Sequence, residues 1–217
     1  MAFSRSPRWY IGVVECHGLG ASCWSRVACI TVPTSMRDNP YHFDFGPLKS
    51  GVLNISKVYG AFLAENSQYC LNIHKHPTPV SLALTGDLPK SGTLDWSGVK
   101  LPDGTCTDLQ EATEYGACGI ALLVALRLTG VTFVERSAKG TGIDYWLGNE
   151  RSPDGIFQSA ARLEVSGILN GDDAKITARV NAKLHQTQPS DPSGLPAYVA
   201  VVEFRRPEAR FVRKIKR

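Results

Sequence analysis

Two carboxylates inside apolar segments are the residues best suited to chemistry. Asp144 is flanked by Ile143 and by residues 145–147, and Glu164 lies in the mostly apolar segment 161–168. A carboxylate buried in such a segment is costly unless a cation or a hydrogen-bond donor pairs with it. Hard cations such as Mg²⁺ bind carboxylate oxygens, and a bound cation lowers the pKa of an attacking water in phosphodiester hydrolysis. We therefore expect Asp144 and Glu164 to share a divalent cation.

A third carboxylate, Glu114, falls in a predicted helix of the same half of the chain, with Glu111 as its near neighbour. Glu114 is the third candidate metal ligand. The alternative is that either Glu faces solvent and favours the positive start of the helix.

The elements that would position these residues follow from hydrophobic spacing after residue 106. Apolar residues recur at helical spacing after Thr107 or Asp108, either of which can cap the helix, and Gly130 ends it. The second and third of the strands that follow are expected to form a hairpin. The predicted order is helix, three strands, helix and strand, over residues 107–130, 131–134, 143–147, 161–168, 172–186 and 197–204.

This order resembles the PD-(D/E)xK, or restriction-endonuclease-like, nuclease superfamily over roughly the last hundred residues. In that superfamily a Gly-rich segment precedes a metal-binding Asp, and residues 140–144 match this pattern. The next strand carries Glu-x-Lys, and residues 164–166 match this motif in part. Many members also place a Glu near the start of the first helix, where Glu114 lies. The resemblance implies an α/β (α+β) core that cleaves DNA with Mg²⁺ or Mn²⁺, with Asp144, Glu164 and Glu114 at the metal.

One departure concerns the catalytic lysine of the superfamily, because Ser166 occupies its position. A hydroxyl does not supply the positive charge that stabilises developing negative charge. Lys183 on the second helix, Lys139 in the turn before Asp144, and Arg162 are the candidates to replace it. Some relatives carry this lysine on the second helix, whereas others have lost activity and keep the fold as a binding or scaffolding element.

The first 105 residues are predicted to be a β-rich region that precedes the core at 106–207. Residues 208–217 are predicted to be a basic tail, since residues 205–217 hold seven basic side chains and one acidic one. Such a run either attracts nucleic acid or is simply solvated. The predicted amino-terminal elements are strands at residues 9–15, 25–32, 52–58 and 81–84 and a helix at about 57–68.

Composition favours a soluble globular protein, because 43% of the 217 residues are hydrophobic and 20% are charged. The longest apolar run, residues 117–126, is too short to cross a bilayer, so we expect no membrane span and a cytoplasmic location. The turn at residues 140–142 lacks the lysine and the following helix of a phosphate-binding loop, which argues against nucleotide binding.

Other potential metal ligands fit structural explanations better. The six cysteines form no CxxC pair and are expected to be reduced and mostly buried. A zinc site at Cys16, His17 and Cys23 is the alternative. His74 and His76 either face one way on a strand as ligands or lie in a surface loop before Pro77, and the loop is favoured.

Two functions follow as hypotheses. The first is a metal-dependent nuclease in which Asp144 and Glu164 bind Mg²⁺ or Mn²⁺, Glu114 assists, and Lys183 or Lys139 replaces the missing lysine. Its partner would be nucleic acid, with DNA favoured. The second is a catalytically inactive core that binds nucleic acid or assembles with a protein through the amino-terminal region.

Overall fold

The computed structural model describes residues 41–51, 54–87, 90–96, 101–102, 104–149 and 159–214. These residues belong to one compact unit. The strands predicted at residues 9–15 and 25–32, and the alternative zinc site at Cys16, His17 and Cys23, lie outside the described residues.

A mixed sheet of eight strands forms the centre of the described fold. The elements are β1 (Tyr41–Asp44), α1 (Gly46–Ser50), α2 (Lys57–Ile73), β2 (Val80–Gly86), β3 (Lys90–Asp95), α3 (Leu109–Thr129), β4 (Phe133–Arg136), β5 (Tyr145–Gly148), β6 (Ser159–Ile168), α4 (Asp173–Gln186), a 3₁₀ helix (Gln188–Ser193), β7 (Ala197–Glu203) and β8 (Glu208–Arg213). The strands lie in the order β1-β3-β2-β8-β7-β6-β5-β4, and neighbouring strands are antiparallel except for the parallel pairs β1–β3, β2–β8 and β6–β7. The predicted mixed α/β class is therefore confirmed.

Helix α3 begins and ends where the sequence predicts. The Asp108 side chain accepts hydrogen bonds from the N–H groups of Gln110 and Glu111, and Gly130 ends the helix with a left-handed backbone. Among the described helices, α3 is the one that is long and apolar enough to span a membrane, and 61% of its most apolar window is buried inside the fold. It packs against α2 and β6 as a core helix.

The elements after α3 follow the predicted order. Strands β5 and β6 are antiparallel neighbours, as predicted, and Asp144 immediately precedes β5. The Asp172 side chain caps α4 by accepting from the N–H of Lys175. Strand β7 is parallel to β6 and buried along almost its whole length, which explains its continuous apolar sequence.

Two predictions about the remaining segments are wrong. Lys57 and Val58 begin helix α2 instead of ending a strand, because the Ser56 hydroxyl caps the helix by accepting from the N–H of Tyr59. Within the predicted basic tail, residues 208–213 form β8 between β7 and β2. Ala209 and Phe211 are buried on one face of this strand, and Arg210 lies between them on the other face.

The sheet also continues across the boundary predicted at residue 105. Strand β2 pairs with β8, so the segment before α3 and the carboxyl-terminal strands share one sheet. Helix α2 packs along α3 on one face of this sheet. Side chains from the amino-terminal half can therefore reach the neighbourhood of Asp144.

Close packing of α3 on β6 depends on Gly167. A Cβ added at this residue would lie 2.2 Å from the carbonyl oxygen of Thr113 on α3. We expect Gly167→Ala to lower the free energy of unfolding by roughly 1–3 kcal/mol, because the helix and strand must separate. Chemical denaturation checks this against Ala61→Ser, an exposed change on α2 that should stay within about 0.5 kcal/mol of the wild type. Equal stability of Gly167→Ala and wild type would contradict the packing.

Candidate functional site

Asp144 lies where strand β6 runs beyond the start of β5. The last ladder pair joins Tyr145 to Leu163, and the Asp144 N–H donates to the Leu163 carbonyl at 3.0 Å. The next N–H of β6 on this edge, that of Val165, donates to Asp144 Oδ2 at 2.8 Å. The side chain thus takes the place of a missing strand partner, which fixes its carboxylate beside β6.

Glu164 is the buried member of the pair, with 1% of its surface exposed. Its Oε1 accepts from Lys183 Nζ at 2.5 Å and from Gln186 Nε2 at 2.8 Å, both on α4. Its Oε2 is buried and receives no hydrogen bond while both acids are ionised, whereas a proton on either acid lets the Glu164 and Asp144 carboxyl groups hydrogen-bond to each other. An unsatisfied carboxylate oxygen in a protein interior is destabilising, so this atom is the natural position for a further cationic ligand.

Burial raises the pKa of both carboxyl groups, and repulsion by Asp144 adds to the effect at Glu164. Burial is the main cause for Glu164, followed by the charge of Asp144, and together they raise its pKa to about 7 against the opposing effect of Lys183. The pKa of Asp144 is also raised, mainly by burial and further by Glu114, although the Val165 N–H and Lys183 oppose the shift. Two acids held together in this way are typical of functional sites.

Both carboxylates open into a cleft of about 460 Å³, here called the Asp144 cleft. Of the six residues proposed for the site, the structure brings five to this cleft. Glu114 lies on its α3 side, where its Oε1 accepts from Gln110 Nε2 at 3.2 Å. Lys139 lines its exposed part. The charged residues that line the cleft are Glu114, Arg136, Lys139, Asp144, Glu164, Arg179 and Lys183.

Arg162 does not take part in the cleft, which removes it as a replacement for the motif lysine. Its guanidinium donates to the Leu195 carbonyl, to Ser190 Oγ and to Asp191 Oδ1. These contacts fix the loop after α4, beside a larger cavity of about 830 Å³. Asp191, which lines that cavity, is already paired with Arg162 and Lys214, so its carboxylate is less available to bind a cation than those of the Asp144 cleft.

Arg179 is a site residue that the sequence reasoning missed. Its Nη1 donates to Ser166 Oγ at 2.7 Å, so a guanidinium is held at the strand position where the superfamily has lysine. Arg179, Lys183 and Gln186 are spaced to lie along one side of α4, next to its buried face. The signal that could have identified Arg179 was the helical spacing of these polar residues, in a helix that follows a strand carrying an acid.

Aromatic residues were also missed, because one of them comes from α2. The Tyr59 and Tyr145 hydroxyls are hydrogen-bonded at 2.9 Å, and the Arg136 guanidinium lies over the Tyr59 ring at 5.0 Å from its centroid. Burial raises the pKa of Tyr145 and of the nearby Cys118 thiol, the latter to about 12. These groups are therefore neutral around pH 7 and form a non-ionic part of the lining.

The pair of carboxylates fits a hard divalent cation by its chemistry. No group of three His, Cys, Asp or Glu side chains is arranged as a metal site in the described part of the chain. Mg²⁺ is nevertheless often held by one or two carboxylates, with water and substrate phosphate as the other ligands. The partnerless Oε2 of Glu164 beside Asp144 agrees with that arrangement.

The two histidines have structural contacts instead. His74 Nε2 is hydrogen-bonded to the Leu169 carbonyl at 2.7 Å, and His76 Nε2 to the Phe204 carbonyl at 2.8 Å. Both follow the end of α2 in a turn, in agreement with the predicted loop. They fasten this turn to the strand ends of β6 and β7.

The raised pKa of Glu164 predicts how stability changes with pH. The folded protein holds this proton more tightly than the unfolded chain, so the associated stability is complete below the usual pKa of 4.5 and is lost as pH rises through about 7. Without divalent cations, we expect Glu164→Gln to match the wild type near pH 4.5 and to exceed it above pH 7 by on the order of 2–3 kcal/mol.

Urea denaturation across this pH range measures the difference. Glu65→Gln, an exposed change on α2, serves as the control and should follow the wild type at every pH. A constant difference between Glu164→Gln and wild type would show that the Glu164 carboxyl does not titrate between these limits.

Known proteins give no assignment for this cleft. No protein-family model matches the sequence, and neither the curated proteins nor the solved structures contain a significant match. The function of the Asp144 cleft therefore rests on the chemistry of its own residues.

Proposed function

We propose that this chain is a metal-dependent nuclease that hydrolyses phosphodiester bonds of DNA, with RNA as the alternative substrate. The observation that carries the proposal is the buried Glu164, whose Oε2 has no partner while its Oε1 is held by Lys183 beside Asp144. A carboxylate pair of raised pKa with an adjacent lysine is costly to maintain in a core. A divalent cation would offset that cost and give the arrangement a use.

The order of elements supports a restriction-endonuclease-like core. Helix α3, strands β4 to β6, helix α4 and strand β7 follow in the order that the superfamily shares. Asp144 immediately precedes the second of these strands, and Glu164 lies on the third. Lys183 on α4 matches the relocated lysine of some relatives. Glu114 on α3 lies in the same cleft, in agreement with its proposed accessory role.

Each residue has a definable part in the proposed reaction. Asp144 and Glu164 would hold Mg²⁺ or Mn²⁺, which polarises the phosphate and lowers the pKa of the attacking water. Lys183, in contact with Glu164, keeps a positive charge next to that carboxylate and can stabilise negative charge that develops on the phosphate. Glu114, which is exposed, is suited to bind water rather than a bare cation.

Cations in the cleft suit a polyanionic substrate. Arg136, Lys139, Arg179 and Lys183 all line it, and the first two are exposed. Contacts of this type hold phosphate groups and weaken as salt rises. Their position around the acidic pair would bring the scissile phosphate to the metal ligands.

The second candidate function is an inactive core used for binding or assembly. The observation that favours it is the Lys183–Glu164 ion pair, because it neutralises the buried acid without a metal ion. Ser166, tied to Arg179, replaces the lysine of the motif. In this case the cleft would bind nucleic acid without cleaving it, or the amino-terminal region would bind a protein.

Cleavage assays decide between the two candidates. We expect the wild type to cut plasmid or single-stranded substrates with Mn²⁺ or Mg²⁺ but not with EDTA, and Asp144→Asn to lose at least about 100-fold in rate because one metal ligand is weakened. Gel-resolved initial rates measure this. Glu65→Gln is the carboxylate control and should cleave like the wild type, whereas undiminished cleavage by Asp144→Asn would sink the assignment.

Lys183 provides a separate test of the missing lysine. We expect Lys183→Met to reduce the single-turnover rate by roughly 10²–10³-fold, as loss of one preorganised charge does, and Lys183→Arg to recover part of it. Rates at saturating Mn²⁺ separate this effect from weaker metal binding. Lys139→Met, which removes the exposed candidate, should lower the rate far less, and the reverse order of effects would transfer the role to Lys139.

A further inference from the structure

Aromatic side chains line one side of the Asp144 cleft. Tyr59 from α2 and Tyr115 from α3 both contribute to its surface. Phe62, 41% exposed, extends this surface because its ring meets Tyr115 edge-on at a centroid distance of 4.8 Å. We call Tyr59, Phe62 and Tyr115 the aromatic wall.

Tyr59 and Tyr115 pack in part against the core, yet the aromatic wall keeps exposed surface. Phe62 keeps two-fifths of its surface accessible, and Val58, one helical turn earlier on α2, is 81% exposed. Tyr59 has its hydroxyl bonded to Tyr145 and its ring covered by Arg136 at 5.0 Å. Tyr115 is half-buried, its ring contacts the exposed Phe62, and it lines the cleft together with the carboxylates, so its ring is the one that we place against a ligand.

Charge in the same cleft identifies the ligand class. Four cationic side chains, together with Tyr59 and Tyr115 of the aromatic wall, line a single space of about 460 Å³. Proteins that bind single-stranded nucleic acid combine a basic groove with aromatic rings on which bases stack. An apolar protein segment would satisfy the rings but leave Arg136 and Lys139 without anionic partners, so an unpaired polynucleotide strand fits the combined surface better.

The depth of the acids points the same way. Glu164 is 1% exposed at the base of the cleft, and Asp144 is only partly exposed. The phosphates of a regular duplex lie on the outside of a stiff rod, which bends into a cleft only at a cost in deformation energy. A strand with an unpaired base can bend into the cleft and bring its phosphate to these carboxylates.

We propose that the Asp144 cleft selects unpaired nucleic acid, with a nucleobase stacked on Tyr115 and the adjacent phosphate held among the cationic side chains. This inference rests on the proposed nuclease function and adds its substrate class. The substrate would be a single strand, a flap or an unpaired end. The cationic side chains would supply backbone affinity that does not depend on sequence, and the ring would supply the preference for an unpaired base.

Binding measured in EDTA separates stacking from catalysis. The probes are a fluorescent oligothymidylate, an abasic strand of the same length, and a blunt duplex, with affinities from fluorescence anisotropy. The oligothymidylate and the abasic strand carry the same phosphates, so the ratio of their affinities reports on the bases. We expect the oligothymidylate to bind most tightly to the wild type.

Variants of Tyr115 then identify the ring. Tyr115→Leu keeps apolar volume but removes the flat surface, and it should weaken oligothymidylate binding by about 5- to 150-fold while leaving the abasic strand unchanged. Tyr115→Phe keeps the ring and should bind like the wild type. The matched control is Tyr41→Leu, because Tyr41 also lies beside two cations, Lys90 and Arg127, but outside the cleft.

Each outcome supports or overturns the inference. Equal affinity of the wild type for oligothymidylate and abasic strand, tighter binding of the duplex, or equal weakening of both strands by Tyr115→Leu would each overturn it. If the wild type cleaves duplex DNA with Mn²⁺ and Tyr115→Leu changes nothing, the inference fails and the nuclease proposal stands. If stacking is seen but no substrate is cut, unpaired-strand selection stands and the nuclease proposal fails.

Discussion

The burial of Glu164 on β6 beside Asp144 is the constraint on which the surrounding structure depends, because its carboxylate needs partners from neighbouring elements. Its carboxylate has almost no contact with solvent, yet one oxygen is paired only with α4 side chains and the other has no partner. Removing the charge of Lys183 or the amide of Gln186 would leave the buried carboxylate of Glu164 with fewer hydrogen bonds. Breaking such a buried pair costs far more than the intact pair contributes. Helix α4 therefore contacts β6 through hydrogen bonds to Glu164 as well as through the apolar side chains of Ile176 and Val180.

The sheet provides the geometry that such a pair needs. Strand β6 outruns β5, so Asp144 rather than a strand residue meets the Val165 N–H. Glycine on β6 lets α3 approach within contact of the strand, which brings Glu114 and Tyr115 to the same opening. Helix α2, packed along α3, adds Tyr59, so the cleft combines side chains from both halves of the chain and from helices α2, α3 and α4.

Local signals made much of this predictable. Short segments of sequence were enough to predict the caps at Asp108 and Asp172, the end of α3 at Gly130 and the hairpin of β5 and β6. The two acids in apolar segments indicated the position of the site. Contacts between distant segments were not predictable in the same way. Residues 208–213 looked like a charged tail because their pairing with β2 involves residues more than a hundred positions away. Arg179 was missed because its role depends on which side of α4 faces Ser166, and Tyr59 because a tyrosine on α2 carries no sign of its neighbour Tyr145.

Whether the carboxylate pair holds a divalent cation is the central question, and anomalous diffraction from crystals grown with Mn²⁺ answers it most directly. We predict a manganese peak ligated by Asp144 and by Oε2 of Glu164, the oxygen that receives no hydrogen bond in this structure, with Lys183 remaining in contact with Oε1. A structure at saturating Mn²⁺ with no peak in the cleft, and with the Lys183–Glu164 pair as the sole neutralisation of the buried acid, would contradict it.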